Sequence, residues 1–191
     1  MPILSQERSL FPDSLFDTIS TAPHDDQPTS RRWWALYTRS RREKDLMRRL
    51  HSLSVPFYSP IVPQQRRSPS GRIRTSFVPL FANYVFLWGN DDDRHMALTT
   101  NCLSRCLEVP QQQQLTSDLM SVHALIDTGA PVTVEDRIEP GRRVRIRSGA
   151  LAGQTGTVSE RRGQHRLLVV VNFLQQAASV ELDDFEVEAI Y

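Results

Sequence analysis

Seven arginines in two groups carry most of the chemistry open to this sequence. Arg39, Arg41 and Arg42 follow directly on the run Trp33-Trp34-Ala35-Leu36-Tyr37-Thr38, and Arg66, Arg67, Arg72 and Arg74 stand close together in residues 64–76. A guanidinium grips phosphate oxygens with paired N–H donors and also stacks on unpaired bases, so both groups suit a nucleic acid. Cations at the start of a helix oppose its macrodipole, which points the first group toward an external anion. A solvated helix face and a solvated loop are the plainer alternatives. Catalysis has no comparable support. The five His and the scattered acids show no triad spacing, phosphate-binding loop or metal motif, so the expectation is no enzyme, no catalytic residue, no cofactor and no metal. Cys102 and Cys106 are four apart with no second pair to complete a zinc site, and read as reduced, buried thiols.

The net charge of +1 conceals a strong segregation. Residues 31–80 carry twelve Arg and Lys against two acids, a net of +10, while residues 1–30 carry −4, residues 81–140 carry −6 and residues 141–191 carry +1. A basic field of that size draws nucleic acid or acidic protein surfaces. No run of roughly 18 apolar residues is present, so no membrane span is expected. Glu7, Asp13 and Asp17 interrupt the N-terminus, so no secretory signal is expected either, and the expected location is the cytoplasm.

The elements that must position these groups follow from periodicity. Residues 1–30 lack sustained pattern and read as a disordered or loosely docked extension, with Leu10, Phe11, Leu15, Phe16 and Ile19 able to form one short docking turn. Residues 33–38 read as a buried strand. Residues 41–53 read as a helix with Leu46, Leu50 and Leu53 at helical spacing. Pro56, Pro60 and Pro63 keep residues 55–63 extended, residues 64–76 suit an exposed hairpin loop, and the apolar run 77–88 reads as one central strand. A turn of acids at residues 91–93 caps a helix over 94–100, a strand covers 102–109, and Leu115, Leu119, Val122 and Ile126 define an amphipathic helix that begins near Thr116 and stops at Thr128-Gly129. Residues 130–139 read as a Pro-bounded connector. Five short strands then crowd into 143–147, 156–160, 167–173, 178–182 and 185–190, a density that favours a small barrel.

Two motifs, in this order, carry a family resemblance. The strand and basic helix of residues 33–44, with Val78-Pro79-Leu80-Phe81-Ala82-Asn83-Tyr84-Val85-Phe86-Leu87, resemble the N-terminal domain of NusG-type transcription factors. Pro140-Gly141-Arg142-Arg143-Val144-Arg145-Ile146 and residues 149–158 resemble the KOW module that follows it in the family. The resemblance implies an α+β fold: residues 31–128 form an α/β polymerase-binding domain of mostly antiparallel sheet, residues 129–139 a linker, and residues 140–191 a five-stranded SH3-like barrel. It further implies a monomeric transcription elongation and antitermination factor that bridges the cleft of RNA polymerase and suppresses pausing or termination. The polymerase clamp helices would meet Tyr37, Phe81, Tyr84 and Phe86, and the gate loop would meet His95. Core packing is the other account of the aromatics. The non-template DNA strand would meet Arg39, Arg41 and Arg42, and nucleic acid Arg66, Arg67, Arg72 and Arg74. Phe173 and Leu174 would recruit a ribosomal protein or the termination factor Rho. Ala82, where many relatives carry Pro, and Gln175-Gln176 lean toward a specialised RfaH-, LoaP- or UpxY-like paralogue. A ribosome-associated or general RNA-binding KOW protein is the alternative, though residues 141–191 carry little positive charge for that role.

Overall fold

Alternation along residues 32–38 decides how the first half of the chain is layered. In the computed structural model Arg32–Thr38 is β2, the inner strand of a five-stranded antiparallel sheet of order β1-β3-β6-β2-β7. The other strands of the sheet are β1 (Leu10–Phe11), β3 (Phe57–Tyr58), β6 (Tyr84–Gly89) and β7 (Leu103–Glu108), of which β6 and β7 flank β2. The structure describes residues 7–21, 31–67, 71–135, 142–149, 151–161, 164–182 and 187–189. The chain divides into two units, residues 1–110 and 111–191.

Side chains alternate across a strand, so β2 and β6 each feed two layers. Trp34, Leu36, Val85 and Leu87 enter one core with Leu46, Met47 and Leu50 of α2 (Glu43–Ser52) and Ala97 of α3 (Asp91–Thr99). Each such leucine contributes about 1.5–3 kcal/mol when taken fully out of water. The α3 N-terminus is closed by a capping box: the Asn90 side chain accepts from Asp93 N–H and Asp93 accepts from Asn90 N–H. The opposite face carries Trp33, Ala35 and Tyr37, paired across the ladder with Trp88, Phe86 and Tyr84.

The structure sharpens two expectations for this unit and overturns one. The N-terminal extension supplies β1 and helix α1 (Leu15–Thr21). β1 pairs with β3 at Leu10↔Tyr58 and Phe11↔Phe57, and α1 buries Leu15, Phe16 and Ile19. The apolar run 77–88 is two strand ends rather than one strand: β5 (Ile73–Pro79) stops, and β6 starts after a turn in which Asn83 has φ 66°. The hairpin expected over residues 64–76 extends further than its loop: β4 (Ile61–Arg67) and β5 pair residue by residue from Ile61↔Pro79 to Arg67↔Ile73, and residues 68–70 lie outside the described residues.

In the second unit α4 (Gln112–Asp127) begins a turn earlier than expected and presents Leu115, Leu119, Val122 and Leu125 as one buried stripe. Six antiparallel strands follow in the order β13-β9-β10-β11-β12-β8. They are β8 (Val132–Glu135), β9 (Arg142–Ile146), β10 (Thr155–Arg161), β11 (Gln164–Val171), β12 (Gln176–Glu181) and β13 (Val187–Ala189). Three of the five expected strands lie within a residue or two, β11 begins three residues earlier than expected, and the fifth holds β13. β8 is additional, placed inside the expected connector and paired with β12 from Val132↔Val180 to Glu135↔Ala177. Gly156 lies where a Cβ would stand 2.5 Å from the Leu168 carbonyl oxygen, so the β10–β11 contact requires glycine there. Pro140, Gly141 and Ala150 of the second motif fall outside the described residues. Among the described residues no helix is long and apolar enough to cross a membrane.

Candidate functional site

Tyr37 and Tyr84 form a partly open aromatic patch on the sheet face away from α2 and α3. They sit opposite each other on β2 and β6, with ring centroids 5.1 Å apart and planes at 65°, an edge-on pair. Both are half-buried. Burial, and then the neighbouring Tyr37, pushes the Tyr84 hydroxyl above its ordinary pKa, so this phenol stays neutral and able to donate. Their end of the sheet is fixed from below. Asn83 N–H donates to Glu43 Oε1 at 2.9 Å, and Thr38 N–H donates to the Asn83 carbonyl at 2.8 Å.

The other expected aromatics lie deeper. Phe86 is 0 % exposed and Phe81 1 %, so both pack as core side chains beneath or beside the tyrosines. Sequence reasoning missed what covers the far end of this face. Phe16 of α1 meets Tyr58 edge-on at 5.1 Å and Trp33 at 6.4 Å. Tyr58 in turn stands opposite Phe86 in the β3–β6 ladder. The segment is fastened on the other side by Phe11 against His51, rings 4.7 Å apart, and by Arg48 donating to Glu7 at 2.7 Å.

The first arginine group divides. Arg42 donates to Asp45 at 2.8 Å, and Asp45 also accepts from Arg49 and from the Cys102 thiol. That carboxyl is held below its ordinary pKa, chiefly by the Cys102 contact and then by the two arginines. An internal carboxylate therefore accounts for Arg42, and the Arg42–Asp45–Arg49 spacing was readable in the sequence. Arg39 and Arg41 are exposed and make no ion pair among the described residues. Arg41 adopts φ 61°, a left-handed conformation that costs a non-glycine residue about 1 kcal/mol or more.

The second group sits on the β4–β5 ribbon, where Arg66 pairs with Arg74 and Arg67 with Ile73. Arg67, Arg72 and Arg74 are exposed. His95 is exposed on α3, its ring nitrogen 2.8 Å from the Asp91 carbonyl. Because α3 packs on the opposite face, the fold does not bring His95 to the tyrosines. In the second unit Phe173 and Leu174 are half-buried on a short 3-10 turn, Asn172–Leu174. That turn is anchored to α4: Asp118 accepts from Asn172 N–H at 2.8 Å and from Asn172 Nδ2 at 3.2 Å. No group of three or more His, Cys, Asp and Glu able to hold a metal occurs among the described residues.

A comparison with curated proteins gives no match. Among protein families, the one described as transcription termination factor nusG matches residues 31–137, which holds the aromatic patch, both arginine groups, α4 and β8.

Proposed function

Because this chain belongs to the NusG family of transcription factors, we propose that its first unit docks on RNA polymerase through the Tyr37–Tyr84 patch. The observation that carries this reading is a pair of half-open tyrosines stacked edge-on across β2 and β6, beside the buried Phe86. Amphipathic aromatics bring large contact area at little conformational cost, which is why they anchor interfaces. The clamp helices are the surface this patch would take, with Phe86 and Phe81 as its rigid floor. His95, exposed on the other layer, would meet a second polymerase element such as the gate loop. A factor bound at both would bridge the cleft, hold the clamp and act as an elongation and antitermination factor.

Arg39 and Arg41 stand beside the tyrosines with no internal partner among the described residues, and the left-handed Arg41 is the kind of strain that binding sites retain. They would meet the unpaired non-template DNA strand, whereas Arg42 serves the fold. The second unit would act as the KOW barrel, recruiting a ribosomal protein or Rho at Phe173 and Leu174.

Titration of core polymerase with the Tyr37→Ala/Tyr84→Ala protein tests the docking reading. Loss of two anchors should weaken binding by more than about 2 kcal/mol, with the folded state verified by circular dichroism. Affinity equal to that of the unaltered chain would refute the assignment.

A further inference from the structure

We propose that the β4–β5 ribbon reads base sequence in the major groove of duplex DNA with one face while its other face holds phosphates. This rests on the nucleic-acid reading of Arg66, Arg67, Arg72 and Arg74, and it names the class of nucleic acid they serve.

The register separates the two faces. Gln65↔Thr75 and Arg67↔Ile73 are neighbouring cross-strand pairs, and period-two alternation puts these four residues on one side. All four are exposed, and Ile73, at 61 %, is the most open large apolar residue among those described. Their types match the edges that a major groove displays. A Gln amide pairs with adenine N6 and N7, an Arg guanidinium with guanine O6 and N7, a Thr hydroxyl with either, and an apolar side chain with the thymine methyl. Phe77, two positions beyond Thr75 on the same side, packs on the core of the first unit, so this face is rooted on a rigid base.

The other face has Gln64 opposite Ser76 and Arg66 opposite Arg74. Like charges at directly opposed positions destabilise a ladder, and a polyanion removes that cost. Residues 61–79 themselves contain no acid. The composition also chooses among nucleic acids. Residues 64–76 contain no aromatic residue, so the ribbon has no platform on which single-stranded bases would stack. The deep, narrow major groove of A-form RNA excludes side chains. B-form DNA offers a major groove about 12 Å wide, and a two-stranded ribbon with strands about 4.8 Å apart enters it.

The test is a gel-shift enrichment with the full-length protein and a pool of DNA duplexes carrying a randomised core. The expected result is a short enriched site. Gln65→Ala, Ile73→Ala and Thr75→Val should each flatten its preference over random duplex. Replacing the thymines of that site by deoxyuridine should weaken the unaltered protein about fourfold per contacted methyl and leave Ile73→Ala unchanged. The triple variant Arg66→Gln/Arg72→Gln/Arg74→Gln should keep the preferred sequence but lower the slope of log K against log salt by roughly 2.7, for three lost phosphate contacts. Failure to enrich any site overturns the groove assignment, as does an enriched site indifferent to the three reader-face variants and to deoxyuridine. Either result leaves the arginine contact standing if the triple variant still loses its slope. An unchanged slope in the triple variant overturns the nucleic-acid reading of the arginines, and this proposal with it.

Discussion

Replacing Asp118 by Ala should loosen the second unit while leaving the first untouched. Asp118 is 6 % exposed, and its carboxylate accepts from Asn172 N–H at 2.8 Å, Asn172 Nδ2 at 3.2 Å and Gln114 Nε2 at 2.7 Å. Gln114 is exposed, so water replaces that contact at little cost. The two Asn172 bonds matter more, since a hydrogen bond to a charged group is worth about 1.5–3 kcal/mol. Removing the carboxylate also recovers part of its own desolvation cost, which lowers the net effect to about 2–4 kcal/mol. Asp118→Asn keeps one acceptor for the Asn172 N–H and should lose about half as much. All three tryptophans, Trp33, Trp34 and Trp88, belong to residues 1–110, so their fluorescence reports the first unit alone, whereas far-ultraviolet circular dichroism reports both. In a urea titration the alanine variant should shift part of the dichroism transition to lower denaturant by about 1–2 M and leave the tryptophan transition in place. A shift of the tryptophan transition, or no shift in dichroism, would refute the assignment of α4 to the second unit.

Three further outcomes are expected. Phe16→Ala removes a buried ring worth about 3–5 kcal/mol, but the loss is capped by the docking free energy of the N-terminal segment. Hydrogen exchange at the Ser59 amide, which donates to the Ser9 carbonyl at 2.8 Å, should accelerate while the Leu36 and Val85 amides stay protected; coordinated loss at all three would contradict a separately docked segment. Gly156→Ala should destabilise the second unit by about 1–3 kcal/mol, because its methyl would meet the Leu168 carbonyl; an unchanged melting curve would refute the close approach. Glu7→Gln should cost less than about 1 kcal/mol at neutral pH, since the Arg48 pair is at the surface. The hydrogen bond from Arg48 holds the Glu7 carboxyl below its ordinary pKa, so its contribution is present above that ordinary value and fades as pH falls through the lowered one. The unaltered protein and Glu7→Gln should therefore converge in stability in acid, and a gap that persists there would point to a different origin.

The elements that sequence made visible are those whose burial repeats with a regular period. β2, α2, β7 and the strands after residue 142 each repeat apolar residues often enough to declare their type and length. In the extension the apolar residues of the docking turn were legible but not their partner, because β1 is two residues long and α1 seven, too short for a period, and Tyr58 lies far along the chain. β8 was hidden by the proline and glycine around it, which signal a connector while a four-residue edge strand needs only a free neighbour in β12. Helix α4 announced a buried stripe, yet a stripe states that something covers it and not which unit does so. At the candidate site, residue types identified the tyrosines and arginines. Their accessibility came only with the fold: Phe86 and Tyr84 have the same chemistry and alternation, and differ because α1 and its neighbours close one end of the face. Arg42 likewise separates from Arg39 and Arg41 only once Asp45 is seen beside it.

The order β1-β3-β6-β2-β7 also sets a timetable for synthesis. β2, at residues 32–38, is hydrogen-bonded on both sides to strands that appear only after residue 84, so its tryptophans leave the ribosome long before either neighbour exists. Local pairings come first: α1 and β1 find β3 by residue 58, and the β4–β5 ribbon closes on itself by residue 79. The nascent chain thus holds β2 without either neighbour until β6 is made and with one open edge until β7 is complete at Glu108, a high-contact-order step of the kind that folds slowly and exposes chains to chaperones. A stall in translation between residues 38 and 84 would be the most aggregation-prone moment in the life of this protein.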